Sequence, residues 1–166
     1  MNITEELAKN LSTFQRLFTP IDDAHIDFRQ APEKWNLRDI SCHMYDEERL
    51  DFRFRIQWLF EKPEQTPPPF NPLDWVVDHD YASQDFEEAK AQFFKEREAS
   101  IKWLNELKDA PWQNGYDHPK AGRLTAQFFY DNWLAHDYLH IRQLLRLHFD
   151  YLDSASEYSL AYAGNW

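Results

Sequence analysis

The sequence predicts an all-α protein, a four-helix bundle in up-down-down-up order. Three observations carry that reading. Four stretches repeat apolar residues with the 3.6-residue period of a helix. Only three glycines occur in 166 residues, too few for a turn-dense β design. No stretch alternates apolar and polar residues convincingly enough to read as a strand.

The first helix, roughly 3–18, puts Ile3, Leu7, Leu11, Phe14 and Phe18 on one stripe, with Asn2 or Thr4 available as its cap. The second, roughly 37–61, opens on a stronger start signal. Asn36 can cap it, Asp39 holds the reciprocal capping-box position, and Trp35 can staple onto Ile40. Its stripe reads Ile40, Met44, Leu50, Phe54 and Trp58, and Pro63 stops it. The third, roughly 84–109, starts at Ser83 or Asp85 and buries Phe86, Ala89, Phe93, Ile101, Leu104 and Leu107 before Pro111. The fourth, roughly 126–150, is capped by Thr125, with Leu124 stapling onto Phe129. Its face reads Phe129, Trp133, His136, His140, Leu144 and Leu147.

The connections set the topology. About 22 residues, rich in proline, separate the second helix from the third. Such a segment can run the length of a 25-residue helix, about 37 Å at 1.5 Å per residue. It then returns the chain to the end it left, and the second and third helices run parallel. The whole of 1–166 reads as one domain, with an aromatic tail over 151–166 (Tyr151, Tyr158, Tyr162, Trp166) packed on the bundle or on a second copy.

Composition excludes several functions. The chain carries 29 acidic and 18 basic side chains, a net charge of −11, and no basic stripe, so nucleic acid is not an expected partner. It has no leader-like N-terminus and no run of about 18 apolar residues, so a membrane is not expected either. One cysteine, Cys42, cannot form an internal disulfide, which fits a cytoplasmic protein with a buried thiol.

The chemistry concentrates in histidine. His136 and His140 stand one helical turn apart, so both imidazoles can approach one ion. Two make a poor site. The third candidate is His43, beside the Ile40 and Met44 stripe of the second helix. Three neutral imidazoles would leave a coordination position open, the mark of a catalytic rather than structural site. The competing reading is a set of hydrogen-bonded core histidines. "HDYLH" is one methylene short of the zincin pattern, and the Glu-x-x-His pairs of a di-iron site are absent.

Two segments, "WNLRDISCHMYDEE" and "HPKAGRLTAQFFYDNWLAHDYLHIRQL", resemble the DinB-like (YfiT-type) family of metal-dependent enzymes. The likeness rests on Trp35, His43, and the "HD-x-x-H-x-R-Q" of His136, Asp137, His140, Arg142 and Gln143. It implies a homodimeric up-down-down-up bundle that holds a divalent ion, often nickel or zinc, on three histidines. It also implies a small-molecule substrate, with a low-molecular-weight thiol as cosubstrate in some relatives. The resulting expectation is an S-transferase or a hydrolase; the alternative is a non-catalytic, stress-related ligand-binding or dimeric interaction protein. Arg97, interrupting the third stripe, is either a cation for an anionic cosubstrate or a snorkelling surface residue. Glu47, one turn after His43, is either a base or ligand orienter, or a solvated carboxylate. His79 of the crossover either lines the pocket mouth or is an exposed loop histidine, and the Arg and Asp residues between the stripes read as solvated faces.

Overall fold

The computed structural model describes residues 1–164. Its bundle consists of α1 (Ile3–Leu17), α3 (Leu37–Asp46) continued by α4 (Arg53–Glu61), α6 (Phe86–Glu106) and α7 (Ala126–Ala155). A short α2 (Asp23–Asp27) follows α1, and the crossover carries one turn of helix, α5 (Trp75–Asp78). The start signals act as the sequence suggests. Asn2, Asp85 and Thr125 each accept a hydrogen bond from a first-turn amide, and Asn36 with Asp39 closes a full capping box.

Two apolar clusters and a polar layer between them fix the helix directions. One cluster contains Leu7, Leu59, Leu104, Phe129 and Trp133; the other contains Phe14, Ile40, Met44, Phe86, Phe93, Leu144 and Leu147. Along the chain, α1 and α7 run from the first cluster to the second. The α3–α4 helix and α6 run from the second to the first. The order is up-down-down-up, and the crossover carries the chain back along the bundle. Phe70, Trp75 and Tyr81 hold the crossover down, the latter two buried with Cys42 and Ala89.

The second helix departs from the expected stripe. Between Asp46 and Arg53 the residues Glu47–Phe52 form a π-helical turn, which takes more residues per turn than an α-helix. The buried face beyond it passes to Phe52, Ile56 and Leu59, leaving Leu50, Phe54 and Trp58 only partly buried. Glu47 and Glu48 both turn inward as a result.

A two-stranded hairpin also appears where no strand was expected. β1 (Gly115–His118) pairs antiparallel with β2 (Gly122–Thr125) and closes the end of the bundle beside Leu59. Four residues per strand are too few for alternation to register. At Gly115 any Cβ would sit 2.4 Å from the Leu124 carbonyl oxygen, so glycine is needed for that close approach.

The tail divides. Tyr151, within α7, stacks on His25 at 4.3 Å, whereas Tyr158 and Tyr162 are exposed and do not pack on the bundle. Trp166 lies outside the described residues. No helix among the described residues is long and apolar enough to cross a membrane.

Candidate metal centre

His43 stands in the second turn of α3, and His136 and His140 occupy successive turns of α7. The helix crossing brings one nitrogen of each within 4.8 Å of the others. His136 Nε2 and His140 Nε2 are 3.0 Å apart, and the His43 ring centre lies 5.5 and 5.0 Å from theirs. Trp35 packs at 4.6 Å from His43 and lies parallel to His140, while Phe52 covers His136 at 5.2 Å.

This apolar enclosure governs protonation. Burial, then the neighbouring His140, lowers His43 to about 3; burial alone dominates the fall of His140 to about 4. His136 is pushed well below its ordinary value, first by burial and then by the other two rings. All three are therefore neutral at pH 7 and keep lone pairs for a ligand. His43 Nδ1 is buried without a hydrogen-bond partner. Buried orphan nitrogens cost about 1–3 kcal/mol, and an ion on His43 Nδ1 would offset that penalty. Three neutral imidazoles suit a divalent first-row ion of the zinc type.

Glu47 is not a solvated carboxylate. It is 4% exposed, and its Oε1 lies 3.6 Å from His43 Nε2. Burial, then the charge of Asp51, pushes its carboxyl up to about 9. Asp51 in turn accepts a hydrogen bond from Arg55, so the proton resides on Glu47.

Arg97 does not snorkel: it is fully buried. Its Nε donates to Glu48 at 2.9 Å, and its two terminal nitrogens donate to Asp137 at 2.7 Å each. Asn10 Nδ2 also donates to Asp137, and Trp133 Nε1 to Glu48. Asp137 projects from α7 between the two histidine turns, so this network fixes the rotation of the helix that carries them. Reading Asp137 as a solvated face missed it. An arginine in phase with Phe93 and Leu104 was the available signal, because such a charge survives burial only with carboxylates beside it.

His79 does not line the pocket mouth. Its Nδ1 meets Asp46 Oδ2 at 2.6 Å, and Tyr81 donates to the same oxygen at 2.8 Å, anchoring the crossover to α3. Leu73 is the crossover residue that reaches the cavity over His43 and His140, a cavity of 730 Å³. A second cavity of 360 Å³ lies against His136 and Asp51. Cys42 is buried and its thiol raised to about 12, chiefly by burial, so it is no nucleophile.

The family model of the DinB superfamily matches residues 6–144. Among solved structures, the chain is similar to YfiT from Bacillus subtilis, at 16% identity over 87% of this chain and 83% of that one, with a TM-score of 0.75. YfiT is described as "a probable metal-dependent hydrolase with an unusual four-helix bundle topology". No curated protein matches the chain.

Proposed function

The chain belongs to the DinB superfamily, and from that premise we propose that it is a metal-dependent enzyme acting on a small molecule. One divalent ion, zinc or nickel, is held by His43, His136 and His140. The observation that carries this reading is the convergence of three neutral, enclosed imidazoles, of which His43 and His140 line one cavity and His136 a second. When bound, the ion supplies Lewis-acid chemistry, polarising a substrate group or lowering the pKa of a coordinated nucleophile.

The protein's own residues do the rest. Trp35 and Phe52 exclude water from the histidines. Glu47 holds a proton at neutral pH beside His43 and acts as general acid toward a leaving group. Arg97, through Asp137, is a positioning residue for the α7 histidines.

Hydrolysis of an ester or amide is the first reading, supported by the likeness to YfiT. A thiol-dependent S-transferase is the second, favoured by the two cavities flanking the histidines, which offer room for a substrate and a low-molecular-weight thiol. Tyr138, Leu145 and Leu152, exposed at seven-residue spacing on α7, support a homodimer. The unpaired buried Cys42 supports a cytoplasmic setting.

The test is elemental analysis of wild type and His140→Ala, followed by assay of metal-loaded wild type on ester, amide and thiol–electrophile panels. Stoichiometric ion lost in the variant supports the site, and equal content in both overturns it. Ligand-dependent stabilisation without product would leave a binding protein in place of an enzyme.

A further inference from the structure

We infer that the cavity over His43 and His140 takes an organic anion, a small molecule with an apolar body and one carboxylate or phosphate group. The anionic group sits on Arg142 and Lys34, and the body lies along Trp35 toward the histidines. This deepens the metal-enzyme reading and rests on it only for what happens at the reactive end.

The charge distribution carries the argument. In a chain with 29 acidic and 18 basic side chains, most arginines find a carboxylate partner. Eight of the ten arginines form ion pairs among the described residues; Arg16 and Arg142 do not. Arg142 lines the cavity. So does Lys34, which also has no ion pair among the described residues, and so does Arg146. Arg146 meets Asp150 through Nε alone, at 2.8 Å, which leaves its terminal nitrogens available. The single acid on this wall, Glu33, pairs with none of the three. An acidic protein has therefore placed three cations around one opening.

The rest of the cavity supplies a complementary apolar surface. Trp35 stands 4.6 Å from His43 and parallel to His140, so a ligand resting on its ring is directed at the histidines. The volume of 730 Å³ falls within the range of about 300–1,000 Å³ usual for small-molecule sites. Arginine beside a wide apolar face suits a planar carboxylate or a phosphate, which its fork binds by paired hydrogen bonds.

Isothermal titration with three probes tests the inference: 4-phenylbutyrate, phenyl phosphate, and the neutral 4-phenylbutyramide. It is run on wild type with and without metal, on Arg142→Gln, and on Lys34→Gln/Arg142→Gln. Both residues are exposed, so these variants keep the fold. At least one anion is expected to bind about tenfold tighter than the amide, the strength of a charge-assisted contact. Arg142→Gln removes about that factor, and the anion preference persists after the metal is stripped. Comparing the two anions identifies the headgroup.

Equal affinity for amide and anions overturns the inference, as does absence of binding by both anions. A preference that disappears with the metal and ignores Arg142→Gln also overturns it, because the anion then sits on the ion. Metal content measured on the same samples keeps the two readings apart. A wild type that takes up no metal when loaded, yet binds anions through Arg142, sinks the enzyme reading and leaves the anion site standing.

Discussion

Arg97 and Asp137 form a two-pronged ion pair, both contacts at 2.7 Å, and neither side chain is exposed to solvent. Removing one partner of such a pair strands the other in the core. Arg97→Gln is therefore expected to cost about 3–5 kcal/mol in denaturant unfolding. A purely structural role would end there. Because Asp137 stands between His136 and His140, zinc affinity of the still-folded variant should also fall about 10–100-fold. Unchanged affinity would remove Arg97 from the site.

Glu47 beside His43 gives a second expectation. A carboxyl raised to about 9 binds a proton in the fold that the unfolded chain gives up above its ordinary 4.5. Metal-free wild type should thus lose stability as pH rises through that window. Glu47→Gln, which mimics the protonated acid, should change stability at neutral pH by less than about 1 kcal/mol and flatten this slope. Thermal unfolding across pH 5–9 checks both statements, and a large loss in the glutamine variant would mean that Glu47 is ionised.

His25 acts in the opposite pH direction. It is fully buried, stacked on Tyr151 at 4.3 Å and edge-on to His148 at 4.6 Å. Burial, then His148, lowers it to about 4 from 6.5. Between those values the unfolded chain takes a proton that the fold refuses. Its contribution to stability is therefore complete above pH 6.5 and declines as pH falls toward 4, by up to about 1.4 kcal/mol per pH unit. His43, His136 and His140 act in the same direction, so the measurement is the difference between metal-free wild type and His25→Phe. The variant should lose less stability between pH 7 and pH 5.

Gly115 is the test of the hairpin. A methyl group there meets the Leu124 carbonyl at 2.4 Å, backbone that cannot swing aside. Gly115→Ala should cost about 1–3 kcal/mol and abolish amide exchange protection over 115–125, while α6 and α7 keep theirs. Retained protection in the hairpin would refute this placement of the strands.

Most of the fold was legible because helix caps and stripes are local signals. Asn36 and Asp39 announce their helix within four residues, and Thr125 announces another. The three histidines were legible for the same reason, since each lay in phase with an apolar stripe. What escaped depended on contacts distant in sequence. Asp137 is buried because Arg97, forty residues earlier, neutralises it. Leu50, Phe54 and Trp58 lost the core to Phe52, Ile56 and Leu59 because a widened turn intervened, and no periodic template contains such a turn. His25 accepts a hydrogen bond from the Ile21 amide, and His148 bonds to the Leu17 carbonyl. Those are backbone groups that no side-chain pattern reveals.

The layer of Asn10, Glu48, Arg97 and Asp137 has one more consequence. A bundle held only by Leu, Ile and Phe can slide one helix past another by a turn, about 5.4 Å, and still bury similar surface. Here a slip would leave a guanidinium and two carboxylates facing hydrocarbon. The layer works as a key that admits one alignment of the helices. That alignment is also the one in which His43 finds His136 and His140, so the convergence of the three histidines is decided when the chain folds.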